Sequence, residues 1–114
     1  MIGGLVALKV DPNIMAKLAG QRMSMIVTGT NGKSTTTRMA ANALRTAYTV
    51  ATNDGGDNMD AGIVSALNQD LDADAICLEV DEMHVPHVMD ALSPTVLVLL
   101  NLSRDQLDLS LIHI

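Results

Sequence analysis

At 114 residues the sequence has room for one domain, and 48% hydrophobic against 18% charged residues is too apolar for a disordered chain. A formal charge of -6 and one aromatic residue, Tyr48, weigh against a phosphate-backbone binder or a base-stacking module, so no nucleic-acid partner is expected. The lone Cys77 excludes an internal disulfide framework or an all-cysteine zinc site, and no apolar run reaches the roughly 20 residues of a transmembrane segment.

Taken in chain order, Asp11-Pro12-Asn13 reads as a turn leading into a helical stretch at residues 14–18. Residues 25–28 form a short β-rich run that ends at Gly29, with Gly32 three residues on. The pattern then turns helical over 33–47, with Met39, Ala40, Ala43, Leu44 and Ala47 on one stripe. Residues 48–52 read as a second strand, followed by a loop rich in Asn, Asp and Gly. A helix over 61–71 carries Ile63, Val64, Ala66 and Leu67 on its apolar side. Residues 75–80 form a third strand, apolar enough to be buried on both faces; its one cysteine belongs to the core. A short helix over 84–92 must hold Pro86 in its first turn, and residues 95–100 give a fourth, wholly apolar strand.

Strands alternating with helices imply βαβ crossovers, so the expected fold is α/β with a mainly parallel sheet and flanking helices. Such sheets bind ligands beyond the carboxyl ends of their strands. Charge is divided along the chain: no Lys or Arg lies between Thr46 and Ser103, and that stretch holds ten of the thirteen acids. A solvated acidic face and a cation site beside a bound phosphate both fit this division.

The main chemical signal is Val27-Thr28-Gly29-Thr30-Asn31-Gly32-Lys33-Ser34-Thr35. A glycine-rich turn between strand and helix aims successive backbone N–H groups at one anion, and the helix N-terminus adds positive partial charge. Lys33 can reach the β- and γ-phosphates, and the Ser34 hydroxyl can coordinate magnesium. The general phosphate-loop pattern has glycine where this chain has Val27. Strand, loop and helix nevertheless arrive in the required order, and ATP with Mg2+ is the expected ligand.

The string T-G-T-N-G-K-S-T-T resembles the central ATPase domain of the Mur ligase superfamily, in which the first loop glycine is commonly absent. The resemblance runs over residues 5 to 108 and is similar to the MurT-type branch, the ligase-like subunits of lipid II isoglutaminyl synthases. It is carried by Ala7-Leu-Lys-Val-Asp-Pro-Asn13, the phosphate loop, and Gly56, Asn58 and Gly62. Leu78-Glu-Val-Asp-Glu82 and Asn101-Leu-Ser-Arg-Asp-Gln-Leu-Asp108 complete it. The amino-acid-adding Mur ligases usually show D-H-L-D or a close variant at the last of these, whereas R-D-Q-L-D resembles the MurT-type branch.

The resemblance implies an ATP-dependent ligase of peptidoglycan biosynthesis. It would amidate the α-carboxylate of the stem-peptide glutamate in lipid II through an acyl phosphate. Ammonia would come from a GatD-type glutaminase partner, with the work done in the bacterial cytoplasm at the inner face of the membrane. Gly29, Thr30, Asn31, Gly32, Lys33, Ser34 and Thr35 would hold the triphosphate, and Ser34 with Glu79 the magnesium. Lys33 and Glu79 are the implied catalytic pair. Asn58 would help order the phosphates or form a plain Asx turn, and Asp81 and Glu82 would support the metal or be solvated. Gln106 stands where the adding ligases carry a metal-binding histidine, so a second magnesium does not transfer. Arg104 and Asp105 suit a local ion pair, and His84 with His87 a surface role.

The expected organisation is a lead-in segment at 1–23, an incomplete Mur ligase central domain at 24–108 and a non-native tail at 109–114. The tail corresponds to translation of CTG TCT CTT ATA CAC ATC, which resembles a sequencing-library adapter. On this reading His113 is no ligand, and a zinc-binding insertion would lie only downstream. Two alternatives stay open: an amino-acid-adding Mur ligase, and a nucleotide-binding module without catalysis.

Overall fold

A computed structural model of the chain describes residues 13–53 and 60–101, with the backbone only at 60 and 61. The elements run α1 (Ile14–Ala19), β1 (Met23–Thr28), α2 (Lys33–Leu44), β2 (Val50–Thr52), α3 (Asp60–Gln69) and β3 (Ala75–Glu79). A 3-10 turn (Glu82–His84), α4 (Val85–Leu92) and β4 (Val96–Leu99) complete the described chain. The four strands are parallel in the order β2-β3-β1-β4, as the βα alternation requires.

That order decides which helix covers which face. The step from β1 to β2 runs one way across the sheet, and the steps to β3 and then β4 run the other way. Right-handed crossovers therefore send α2 to one face and α3 and α4 to the opposite one. The packing agrees. Ala41 of α2 meets Val50, Ala75 and Cys77, with Met23 and Met25 alongside. Ile26, Ala51, Ile76 and Leu78 meet Ile63, Val64, Leu67, Val88 and Leu92 on the other side. Strand β3 is buried at every position, so its residues alternate between two covered faces.

Helix α1 packs with α3 and α4, burying Met15 and Ala19 in the larger core. Arg22 ties that corner together. Its guanidinium donates to the carbonyls of Leu18 (2.6 Å), Ala19 (3.1 Å), Asp70 (3.0 Å) and Ala73 (3.1 Å). One fork thus satisfies the carbonyl ends of α1 and of the turn after α3, where a cation is favoured.

Two expectations shift. The inward stripe of α2 is Thr37 and Ala41, both buried, flanked by half-buried Ala40 and Leu44, whereas Met39, Ala43 and Ala47 are exposed. In a helix of small residues, hydrophobicity hardly sets the rotation; docking of its first turn on β3 does. Tyr48 is not in a strand. Its N–H donates to the Leu44 carbonyl at 2.8 Å, so the helical turn persists through 45–48 and β2 begins only at Val50.

Strand β4 is one edge of the described sheet, opposite β2, and exposes Val96 (40%) and Leu99 (50%). An apolar edge invites pairing with another chain. The 114-residue chain expressed by itself is therefore expected to self-associate. Leu99→Lys should raise its monomeric fraction in light scattering, and an unchanged size distribution would show that the contact lies elsewhere.

Candidate functional site

The loop after β1 emerges at the centre of the sheet, beside the carboxyl end of β3. The connection from β1 crosses one face and that from β3 the other. A crevice opens at such a divide. Residues 30–35 and Glu79 line a cavity of about 250 Å³ there.

Gly29 and Gly32 shape the loop. Gly32 caps α2 at φ +87°, a left-handed conformation that frees the helix's first N–H groups to face the cavity. Gly29 has φ +144°, and a Cβ there would lie 2.8 Å from the Leu100 Cβ and 3.1 Å from the Asn101 carbonyl oxygen. Asn101 holds the loop from the end of β4. Its carbonyl accepts from Thr30 N–H (2.6 Å), its Oδ1 from Asn31 N–H (3.0 Å), and its amide donates to the Asn31 carbonyl (3.3 Å).

Glu79 closes β3 on the parity of Ala75 and Cys77, the face that α2 covers. It therefore meets the first turn of α2, where the Ser34 hydroxyl donates to its Oε1 at 2.8 Å. The side chain is 3% exposed, and its Oε2 is buried with no hydrogen-bond partner among the described residues. A buried, half-satisfied carboxylate beside a hydroxyl fits a hard divalent cation, which takes few protein ligands and leaves the rest to phosphate and water. Among the described residues no group of three His, Cys, Asp or Glu gathers; Ser34 and Glu79 are residues that could hold such a cation.

Lys33 lies across the loop. Its ammonium donates to the Gly29 carbonyl at 2.7 Å and to Glu82 Oε1 at 2.6 Å. Glu82 is buried at 3% exposure. Of the two acids left open by the sequence, it is the one at the site, while Asp81 accepts from Met83 N–H and caps the 3-10 turn. Asn53, unmarked in the sequence reading, follows β2. Its amide donates to the Glu79 carbonyl and its Oδ1 accepts from Glu79 N–H, both at 2.8 Å. Only strand order could reveal this pair. Asn53→Leu would leave both backbone groups of Glu79 unpaired in the interior, and is expected to lower unfolding free energy by about 2–4 kcal/mol in urea denaturation.

Lys33, Ser34, Glu79 and the loop glycines thus lie together at the carboxyl ends of β1 and β3. Cys77 is buried, and its Sγ lies 3.7 Å from the Thr37 carbonyl, inside the core. His87 lines a separate cavity of about 220 Å³ with Asn13, Met15, Ala16, Asp90 and Ala91. Gly56, Asn58, Arg104, Asp105, Gln106 and the tail at 109–114 lie outside the described residues. No helix among the described residues is long and apolar enough to cross a membrane.

The Mur ligase middle domain family model matches residues 27–111. The chain is 36% identical over 110 residues to the lipid II isoglutaminyl synthase (glutamine-hydrolyzing) subunit MurT of Streptococcus pneumoniae. It is 38% and 37% identical over 109 residues to the MurT subunits of Staphylococcus aureus strains COL and N315. Each match covers 92% of this chain and 25% of the relative, so the chain spans about a quarter of the length of these relatives.

Proposed function

The chain belongs to the Mur ligase family through its middle domain, and from that premise we propose that it is the nucleotide-handling part of a MurT-type amide ligase acting on lipid II. The observation that carries the reading is the Ser34–Glu79 pair beneath the glycine loop, with one Glu79 oxygen buried and unpartnered. Its relatives are named as subunits of lipid II isoglutaminyl synthase.

In this reading the N–H groups of residues 32–35, which Asn101 leaves free, cradle the triphosphate of ATP, and Lys33 holds the terminal phosphates. Ser34 and Glu79 hold magnesium, which when bound neutralises charge between the triphosphate and an approaching carboxylate. A carboxylate oxygen of the stem-peptide glutamate attacks the γ-phosphorus, and the bond to the ADP oxygen breaks, leaving an acyl phosphate. Neutral ammonia attacks the acyl carbon; phosphate leaves with the electron pair, and the surplus proton passes to solvent. A glutaminase partner supplies the ammonia, and lipid II places the work at the inner face of a bacterial membrane. The 114-residue piece by itself would bind nucleotide without turnover.

The test is the full-length gene product incubated with a GatD-type glutaminase subunit, glutamine, ATP, magnesium and lipid II. Mass spectrometry should find glutamate converted to isoglutamine. Addition of an amino acid to a nucleotide-linked muropeptide would instead mark an adding ligase, and no product from either substrate would end the proposal.

A further inference from the structure

Glu82 is a buried acid that the chemistry above does not use. It sits in the 3-10 turn immediately after β3, 3% exposed, and its Oε1 is 2.6 Å from Lys33 Nζ. The same ammonium donates to the Gly29 carbonyl at 2.7 Å. An ammonium has three N–H donors. Two are committed to the protein, one on the loop that begins after β1 and one on the turn that follows β3, which leaves one for a phosphate oxygen.

Moving Lys33 away to meet a nucleotide would strand a carboxylate in the interior, which is strongly unfavourable. Lys33 therefore keeps Glu82 when the phosphates arrive. The carboxylate also offsets part of the lysine's charge, so it weakens the pull on a triphosphate in the ground state. We infer that Glu82 is a positioning residue for Lys33: it fixes the ammonium for the phosphoryl group in transit at the expense of nucleotide affinity. This rests on the nucleotide site proposed above.

The two can be tested apart in the full-length gene product with its glutaminase partner. Glu82→Gln keeps an acceptor of the same shape and removes the charge. It should bind ATP about threefold more tightly in titration calorimetry. Its kcat should fall about tenfold to a hundredfold, as expected when a reacting group is misplaced. Glu82→Asp keeps the charge but draws it back by one methylene, so ATP affinity should hold while kcat falls by a similar factor. A merely structural role predicts the reverse, weaker ATP binding in step with a lower melting temperature. That result, or an unchanged kcat in Glu82→Gln, overturns the inference. If Glu82→Gln does not fold, Glu82→Asp decides alone, and wild-type kcat in it is the overturning result. Lys33→Ala is the control on the site itself. Wild-type ATP affinity in Lys33→Ala would sink the nucleotide reading. Lost affinity there beside wild-type behaviour in Glu82→Gln would sink only the role of Glu82.

Discussion

Glu79→Gln in the full-length gene product is expected to lower magnesium-dependent turnover by about 10²–10³-fold while making the metal-free protein more stable. The reason for both is the same. Glu79 is 3% exposed, its Oε1 takes one hydrogen bond from Ser34, and its Oε2 has none. The neighbouring ammonium, Lys33, is paired with Glu82 instead. A carboxylate so placed carries a desolvation cost that only a cation can offset. The amide keeps an acceptor for Ser34 and loses the charge, so unfolding free energy without metal should rise by about 1–2 kcal/mol. Melting temperature with and without magnesium and ATP reads both effects. Wild type should gain stability from the pair of ligands, and Glu79→Gln should gain far less. Equal gains in the two proteins would show that the cation is held elsewhere.

Gly29→Ala should be the most damaging change of a single methyl group. At φ +144° an alanine is strained before any contact is considered. Its Cβ would also lie 2.8 Å from the Leu100 Cβ and 3.1 Å from the Asn101 carbonyl oxygen, neither of them a flexible side-chain end. To relieve the clash, the loop must separate from the end of β4 and break the Asn101 bonds to Thr30 and Asn31. The expected cost is about 2–4 kcal/mol of unfolding free energy. A loss of ATP affinity of about tenfold or more should accompany it, because the N–H groups no longer converge. Gly20→Ala is the natural control. Gly20 is also left-handed, at φ +59°, but nothing lies within 4 Å of a Cβ there, so only the backbone term of about 1 kcal/mol should appear. Equal losses in the two variants would show that the contact with β4 does not matter.

Much of the site was readable because its signals are local. Residues 27–35 carry strand end, turn glycines, lysine and hydroxyl in one stretch, and the helix follows at once. Glu79 came from the likeness of Leu78-Glu-Val-Asp-Glu82 to the family, and the structure places it at the end of β3 on the parity of Ala75 and Cys77. Where local signals were weak, the reading slipped. Helix α2 is built from Thr, Ala and Asn around one Leu and one Met, so its buried stripe could be rotated by a residue with little change in apparent hydrophobicity. Tyr48 looked like a strand residue by composition, yet the helical turn held on to its N–H.

The residues alone settled the α/β class and the succession of elements, and they marked the glycine-rich turn between β1 and α2. Each of these depends on neighbours within a few positions, where periodicity and turn chemistry act. The pairings that complete the site depended on the tertiary structure. Asn53 reaches Glu79 across 26 residues, Glu82 reaches Lys33 across 49, and Asn101 reaches Asn31 across 70. They meet because β1 lies between β3 and β4, and β2 beside β3. Strand order follows from how whole helices cover the two faces of the sheet, and no local pattern of side chains encodes it.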